Sequence, residues 1–383
     1  MKFIYLDHAA TTPVHPEVVE AMIPYLSEMY GNASSTHAAG RQARTALNAA
    51  RDRIAAFVGC SPSELVFTGS GTESDNMALF GAAEAYRSRG KHIITTSIEH
   101  HAVLHACERL EQLGYEVTYL PVDRFGQVSL ADVEEAIRPD TILISVMYGN
   151  NETGTLQPVE AIGRLAREQG ICFHVDAVQA LAHIPMDLSR LPVDLMSFSA
   201  HKLNGPKGIG ALYISKTTKI SPLLYGGSQE RKRRAGTENT AGIVGFAKAV
   251  EIMQKNRYEL KQKMEKLRQG MVKELERRLD ADAFVINGHP TEVLPHILNV
   301  SFPGISTETM LMNLDLAGVA AASGSACTSG SLEVSHVLKA MKLPEAVTAS
   351  AIRFSFGADN TEQQIAEVAG ILETIVSRLR TIR

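Results

Sequence analysis

The sequence lacks the features that mark membrane, secreted and DNA-binding proteins. No apolar run is long enough to span a bilayer, and the first residues, Met1 to His8, contain no apolar core of a signal peptide. The formal net charge of −4 provides no overall positive field that would attract nucleic acid. We therefore expect a cytoplasmic protein that contacts neither a membrane nor nucleic acid directly.

Cysteine is also scarce. The four cysteines contain no Cys-x-x-Cys pair, so we predict no metal site, and a reducing compartment argues against disulfides. Cys107 and Cys172 lie in apolar periodic segments and are predicted to be buried, whereas Cys60 lies at a turn. Cys327 differs from these three, because it lies in a run of Ser, Gly, Ala and Thr over residues 323–331 that is expected to be exposed.

The apolar pattern predicts an α/β protein. At 383 residues the chain exceeds one ordinary core, so two domains are expected. Amphipathic segments such as Ala102–Leu113 and Val159–Gln169 alternate with short apolar runs, which is typical of a mostly parallel sheet covered by helices on both faces. The predicted strands are Leu65–Thr68, His92–Thr96, Glu116–Leu120, Ile142–Met147, Cys172–Asp176, Leu195–Ser199 and Gly210–Ile214.

The remainder of the chain has a different pattern. A long charged helix, about Ile243 to Leu279, is predicted to connect the domains. After it, strands (His296–Phe302, Ala351–Phe356) alternate with helices (Thr307–Ala317, Glu362–Arg378), which favours a smaller α+β domain. Because chain termini often pack together, we assign residues 15–257 to the large domain and residues 1–14 and 258–383 to the small one.

Lys202 is the first candidate for chemistry. It ends the stretch Ser197-Phe198-Ser199-Ala200-His201-Lys202, which follows an apolar strand and precedes a turn rich in Gly and Pro. Burial or nearby cations lower the pKa of a lysine amine, which can then hold a carbonyl cofactor as a Schiff base. The alternative is an ordinary lysine at a solvated corner between strand and loop.

A glycine-containing loop, Thr68-Gly69-Ser70-Gly71-Thr72, follows another apolar strand and opens a helix. Glycines let a backbone approach a ligand closely, and the amides at a helix start favour a phosphate. Neither the Walker A pattern nor the dinucleotide fingerprint is complete here. The alternative is a helix capped by Ser70 or Thr72.

Polar residues follow other predicted strands as well. Asp176 ends one strand, His100 and His101 follow a second, and Asn151 follows a third. Since ligands gather at the carboxyl ends of parallel strands, we expect these residues to share one crevice with Lys202. A carboxylate there is costly unless paired, and a protonated pyridine nitrogen is a suitable partner for Asp176. The alternatives are an Asp that caps the next helix and a histidine with a structural role.

Taken together, these residues resemble the cysteine desulfurases of the NifS/IscS type. These belong to the class V aminotransferases and have the fold of type I pyridoxal-phosphate enzymes. The resemblance spans nearly the whole chain, from Tyr5-Leu6-Asp7-His8-Ala9-Ala10-Thr11-Thr12-Pro13 to Ile352-Arg353-Phe354-Ser355-Phe356-Gly357. The run around Cys327 is similar to that of the branch that keeps its cysteine on a longer flexible loop, and the chain also resembles the Bacillus-type tRNA-thiolation desulfurases. The implied fold is a large domain with a mostly parallel seven-stranded sheet between helices, plus a smaller α+β domain.

The resemblance implies roles for the candidate residues. Lys202 would hold pyridoxal 5′-phosphate as a Schiff base and later move protons. Asp176 would pair with the pyridine nitrogen, Gln179 would contact the phenolic oxygen, and His100 would stack on the ring as a candidate acid or base.

The phosphate and the substrate carboxylate would have their own sets of residues. By the same resemblance, the phosphate would be held by Gly71, Thr72, Ser199 and His201. Thr237 would reach the phosphate of a neighbouring subunit, which implies a homodimer. Asn151 and Arg353 would bind the carboxylate of the substrate.

The implied reaction converts L-cysteine to L-alanine. The thiolate of Cys327 would attack the substrate sulfur and hold it as a persulfide. An acceptor protein would then receive the sulfur for tRNA thiolation or iron–sulfur cluster assembly. Because the chain ends soon after the helix Glu362–Arg378, a tRNA 2-thiouridylase is favoured as acceptor over an iron–sulfur scaffold.

Several other functions are compatible with parts of the pattern. Another lyase or aminotransferase of the same fold, such as a selenocysteine lyase, would not depend on Cys327 in the same way, and Cys327 would then be a loop cysteine of no consequence. A third possibility is an interaction protein that keeps the fold without catalysis, and the presence of Lys202 and Asp176 argues against it. A nicotinamide-dependent dehydrogenase is opposed by the incomplete glycine fingerprint.

Overall fold

The structure is a computed structural model that describes residues 3–324 and 334–381. The strands are β1 (Ile4–Tyr5), β2 (Leu65–Thr68), β3 (His92–Thr96), β4 (Glu116–Leu120), β5 (Thr141–Ser145), β6 (Cys172–Asp176), β7 (Leu195–Ser199), β8 (Gly210–Ile214), β9 (Val285–Asn287), β10 (Ile297–Ser301), β11 (Val319–Ala320) and β12 (Ala351–Ser355). The helices are α1 (Pro16–Met22), α2 (Pro24–Ser27), α3 (Ala38–Val58), α4 (Gly71–Tyr86), α5 (His101–Gln112), α6 (Leu130–Ala136), α7 (Val159–Glu168), α8 (Thr240–Arg278), α9 (Thr307–Leu316), α10 (His336–Ala340), α11 (Glu345–Thr348) and α12 (Glu362–Thr381).

Seven strands form the central sheet, in the order β2-β8-β7-β6-β5-β3-β4. β8 runs antiparallel to both of its neighbours, and the pairs from β7 to β4 are parallel. The predicted strands are confirmed, with one difference: the strand expected over Ile142–Met147 ends at Ser145. Beyond that point the amides of Val146 and Tyr148 still donate to the carbonyls of β6, so the chain follows its neighbour without regular pairing.

The strands of this sheet are buried on both faces, because helices cover both. All residues of β2, β3, β5, β6, β7 and β8 are buried. Continuous apolar runs of this kind are what a parallel sheet between two helical layers requires. The predicted α/β fold is therefore confirmed.

The long helix α8 joins two hydrophobic cores. Ile243 to Met253 pack into the core against the central sheet, and Met264 to Leu275 pack into a second core with the sheet β12-β10-β9 and α12. Ile4 and Leu6 belong to the second core, since β1 pairs with β11. These contacts agree with a connecting helix, and the domain boundaries at residues 14/15 and 257/258 remain a prediction. In the described ranges, no helix combines the length and apolarity needed to cross a membrane.

Candidate active site

The carboxyl ends of the parallel strands open into a cavity of about 380 Å³. Ten of the predicted site residues line it: Gly71, Thr72, His100, Asn151, Asp176, Gln179, Ser199, His201, Lys202 and Arg353. Cys327 lies outside the described residues, and Thr237 lines a different pocket. A larger depression of about 680 Å³ lies around Cys60 and Asp194, at the opposite end of the sheet, and brings together none of the predicted residues.

Lys202 ends a 3₁₀ turn that directly follows β7. Its amine donates hydrogen bonds to the carbonyl oxygens of Ala9 (2.5 Å) and Ala10 (2.8 Å). The N-terminal segment thus lies against the cavity and holds the amine at its wall. The sequence did not predict this contact. A half-buried lysine with two carbonyl acceptors differs from the solvated corner residue that was the alternative.

Asp176 ends β6 and is only 7% exposed. Its Oδ1 accepts a hydrogen bond from the amide of Val178 at 2.9 Å. Burial raises the pKa of Asp176 to about 6, against the opposing effects of the Val178 amide and the positive charge of Lys202. The carboxyl group of Asp75 is fully buried nearby, and burial together with the charge of Asp176 raises the pKa of Asp75 well above its ordinary value.

A buried carboxyl group favours a cationic hydrogen-bond partner. A cationic hydrogen-bond donor placed beside Asp176 would offset the cost of its burial. The protonated nitrogen of a pyridine ring is such a donor. The alternative role was that Asp176 caps a helix. It caps only a turn, because residues 178–182 form no helix.

Gln179 lies beside Asp176 and has a fixed orientation. Its Nε2 donates to the carbonyl of Ala9 at 2.8 Å, and its Oε1 accepts from Nε2 of His296 at 3.3 Å. His296 is buried and stacks on His183, with ring centroids 3.7 Å apart. The sequence pattern places His296 at the start of a predicted strand rather than after one, so nothing in it indicated a site residue.

The start of α4 combines both interpretations of the glycine-containing loop. Ser70 caps the helix, since its Oγ accepts from the amide of Glu73 at 3.1 Å. The amides of Gly71 and Thr72 occupy the first two helical positions, which have no intrahelical partner. A Cβ at Gly71 would lie 2.6 Å from Cγ2 of Val178, so the helix start packs tightly against the end of β6. The absence of a side chain at Gly71 is therefore required by close packing.

Two further residues complete a set of donors around this helix start. Ser199 is buried at the end of β7, and Nδ1 of His201 lies 3.2 Å from Oγ1 of Thr11. Burial and the charge of Lys202 lower the pKa of His201 to about 4, so its ring is neutral at pH 7. Backbone amides at a helix start, hydroxyls and a neutral imidazole suit the oxygens of a phosphate group.

His100 precedes α5 as its N-cap. Its Nδ1 accepts from the amide of Ala102 at 3.1 Å. Burial, with the charge of Lys202 as the next cause, lowers the pKa of His100 to about 4. The ring is therefore neutral at pH 7, and its proton is on Nε2 because Nδ1 accepts. The neighbouring His101 points elsewhere, toward Nδ1 of His336 at 3.3 Å.

Arg353 lies at the far end of the cavity, in β12, and is 3% exposed. Its Nη1 donates to the carbonyl of Asn151 at 2.8 Å, and its Nη2 donates to Oδ1 of Asp7 at 2.9 Å. Its Nε has no hydrogen-bond partner within the described ranges. A buried guanidinium with a donor to spare suits the carboxylate of a small substrate.

Thr237 lines a pocket of about 130 Å³ that it shares with Gly69, of the glycine-containing loop, and with Arg234. Arg234 forms an ion pair with Glu73 in the first turn of α4, at 2.8 Å between Nε and Oε1. Thr237 thus does not reach the cavity of its own chain. Its predicted contact with a neighbouring subunit remains a prediction.

Comparison with known proteins agrees with this geometry. The family model for class-V aminotransferases matches residues 4–368. The chain belongs to the aminotransferase class-V family. It is 50% identical over 381 residues to a protein of Methanosarcina thermophila named cysteine desulfurase IscS, a match that covers 100% of this chain and 94% of the relative.

Two solved structures have the same fold as this chain. A NifS-like protein superposes with a TM-score of 0.92 at 40% identity, covering 98% of this chain and 100% of the other. A structure titled "SspA in complex with cysteine" superposes with a TM-score of 0.80 at 37% identity, covering 92% and 98%. The predicted fold, the predicted enzyme class at the level of the family and the predicted cofactor, pyridoxal phosphate, are confirmed by this membership.

Proposed function

We propose that this protein is a cysteine desulfurase that removes sulfur from L-cysteine and holds it on Cys327 as a persulfide. The observation that carries the proposal is one cavity that combines the amine of Lys202, the buried carboxyl group of Asp176 and the guanidinium of Arg353. An amine for a carbonyl cofactor, an acid for its pyridine nitrogen and a cation for an amino-acid carboxylate are the groups that this reaction needs. The names of the relatives support the same activity.

The cofactor supplies, when bound, an electron sink next to the reacting carbon of the substrate. Asp176 would hold the pyridine nitrogen, and Gln179 would donate to the phenolic oxygen. Gly71, Thr72, Ser199 and His201 would hold the phosphate. Arg353, with Asn151, would orient the substrate by its carboxylate.

Lys202 is suited to moving protons, and His100 to supporting that step with a hydrogen bond. Lys202 Nζ would carry a proton to and from the substrate carbons, because the cofactor and substrate would meet at its end of the cavity. Neutral His100 would stack on the cofactor and donate a hydrogen bond through its Nε2–H, while keeping that proton. Both side chains are half-buried.

The sulfur step needs no outside oxidant. The thiolate of Cys327 attacks the sulfur of the bound substrate, an S–S bond forms and the Cβ–S bond breaks. The electron pair of the broken bond stays with the carbon, which takes up a proton and leaves as alanine. The carbon is reduced and the two sulfur atoms become a persulfide, so atoms and electrons balance.

We further propose that the persulfide passes to an acceptor protein in the cytoplasm, with a tRNA 2-thiouridylase favoured and an iron–sulfur scaffold as the second acceptor. The resemblance of the sequence to tRNA-thiolation desulfurases supports this choice. A homodimer, in which Thr237 reaches the neighbouring phosphate, belongs to the same proposal.

The test is to incubate the purified holoenzyme with L-cysteine without reductant and to weigh the peptide that contains Cys327. We expect that peptide to gain one sulfur atom and free alanine to appear, and we expect Cys327→Ala to release no sulfur. Lys202→Ala serves as a control, because it should lose the yellow cofactor absorption as well. An unmodified peptide from a yellow, alanine-producing protein would refute the proposal.

A further inference from the structure

Glu73 is an acidic residue in the first turn of α4 that none of the steps above uses. It directly follows Gly71 and Thr72, which would hold the phosphate. Its amide donates to Oγ of Ser70 at 3.1 Å, and its Oε2 accepts from the amide of Gly69 at 2.7 Å. The backbone and the side chain of Glu73 therefore tie the glycine-containing loop to the first turn of α4.

The carboxylate of Glu73 has a charge of the same sign as a phosphate group. The residue is half-buried, and like charges repel more strongly where burial keeps water away from them. Without a cation beside it, the residue that fixes the loop would weaken the binding of the phosphate. The loop therefore needs a positive charge at Glu73.

Arg234 provides this positive charge. Its Nε donates to Oε1 of Glu73 at 2.8 Å, and its Nη2 donates to Oε2 at 3.2 Å, so that the guanidinium and the carboxylate meet as two forks. The two side chains are 22% and 20% exposed. Oε2 of Glu73 accepts from Arg234 and from the amide of Gly69, so the guanidinium holds the same oxygen that holds the loop.

A strained turn holds Arg234 in place. Residues 230–232 have φ values of 44°, 57° and 64°, and none of the three is glycine. L-residues seldom adopt this left-handed region, and such strain persists only where the surrounding contacts impose it. Here the buried carboxylate of Glu230 accepts from Arg51 and, at 2.9 Å, from the amide of Phe67 in β2. The strand that leads into the glycine-containing loop therefore also fixes the turn that leads to Arg234.

We propose that Arg234 is a positioning residue for the phosphate of the cofactor, which acts through Glu73 by neutralising its carboxylate and by fixing the glycine-containing loop. This inference rests on the phosphate site of the proposed function. Arg234 should therefore affect the binding of a ligand only when that ligand has a phosphate group. A residue that merely stabilises the fold would affect every ligand of the cavity alike.

The experiment compares two ligands of the full chain after removal of its cofactor: pyridoxal phosphate, and pyridoxal, which has the same ring and aldehyde but no phosphate. For Arg234→Met we expect the affinity for pyridoxal phosphate to fall about 10-fold, because an unpaired carboxylate then lies beside the phosphate. The affinity for pyridoxal should stay within about twofold.

A double variant tests whether Arg234 acts through Glu73. Arg234→Met combined with Glu73→Gln should bind pyridoxal phosphate within about threefold of the unsubstituted protein. The amide oxygen of Gln can still accept a hydrogen bond from the amide of Gly69, and it adds no negative charge.

Two further variants keep the comparison valid. Arg234→Gln replaces Arg234→Met if the latter does not fold, because an uncharged polar side chain suits this partly exposed position, and we expect the same selective loss. Arg278→Met is the matched control. Nε of Arg278 pairs with Glu274 at 2.9 Å, and Arg278 is 23% exposed, but this pair lies within α8 and does not line the cavity. We expect both affinities to be unchanged in Arg278→Met.

The outcomes separate the two proposals. If the unsubstituted protein binds pyridoxal phosphate no more tightly than pyridoxal, the proposed phosphate site is wrong and this inference is lost with it. If it prefers pyridoxal phosphate but Arg234→Met loses less than about twofold, or loses affinity for both ligands equally, only the inference is wrong. A double variant as weak as Arg234→Met alone would also overturn it, since Arg234 would then act on the phosphate without Glu73.

Discussion

Replacement of Asp176 by Asn should stabilise the cofactor-free protein while weakening its hold on the cofactor. In the protein alone, burial keeps the pKa of Asp176 at about 6, whereas an unfolded Asp has a pKa of about 3.9. The folded chain thus binds this proton more tightly than the unfolded chain. Ionisation of Asp176 costs stability once the pH exceeds the unfolded value, and the cost grows until the pH passes the folded value.

The size of this cost follows from the difference between the two pKa values. About two units correspond to on the order of 3 kcal/mol of unfolding free energy. The neutral amide of Asn avoids the penalty and can still accept the hydrogen bond from the Val178 amide. We therefore expect Asp176→Asn to exceed the unsubstituted protein in stability by about 3 kcal/mol at pH 8 and to match it near pH 4.

Urea denaturation of the cofactor-free proteins at pH 4, 5, 6 and 8 measures this difference. Asp52→Asn is a matched control, because Asp52 is exposed on α3 and the same substitution there should change little. The holoenzyme should show the opposite effect: loss of a charged hydrogen bond to the cofactor should weaken pyridoxal-phosphate binding about 10- to 100-fold. An Asp176→Asn protein that is no more stable at pH 8 than at pH 4, relative to the unsubstituted chain, would refute the reasoning.

Two other predictions test the substrate end and the framework. Arg353→Lys should raise the KM for L-cysteine about 10- to 100-fold in a sulfide-release assay, because an ammonium cannot reproduce the fork of donors; an unchanged KM would remove Arg353 from the substrate site. Arg51 and Glu230 form a buried ion pair, in which Nη1 and Nη2 of Arg51 lie 2.9 and 2.5 Å from the Glu230 carboxylate. Arg51→Met should lower the urea-unfolding free energy by about 3–5 kcal/mol, because it leaves this buried carboxylate without its cation. Adding Glu230→Gln should restore part of that loss, and a loss below about 1 kcal/mol in the single variant would contradict the prediction.

The strands and the edge of the sheet that holds the site could be predicted from sequence. Runs such as Ile93–Thr96 and Cys172–Asp176 are apolar over a strand's length and end at polar residues, and the structure places both strands as expected. The rule that parallel strands gather ligands at their carboxyl ends then grouped Asp176, His100 and Lys202 correctly. This succeeds because backbone pairing and burial leave a periodic trace in the local sequence.

The contacts that orient those residues could not be predicted in the same way. Lys202 donates to Ala9 and Ala10, Gln179 receives a hydrogen bond from His296, and Arg353 pairs with Asp7, each across more than a hundred residues of chain. Asp7, Ala9 and Ala10 lie in an N-terminal motif and His296 begins a predicted strand, but neither pattern indicates a partner in a distant part of the chain. Their roles arise only when separate elements pack against each other.

The sequence by itself determined the fold class and which polar residues follow the predicted strands. Through its motifs it also determined the family and the cofactor. Only the tertiary structure decided which carboxyl groups are buried together and which nitrogen of His100 holds its proton. The physical reason is that hydrophobic periodicity is a local property, whereas pKa values and hydrogen-bond partners depend on groups brought together from distant parts of the chain.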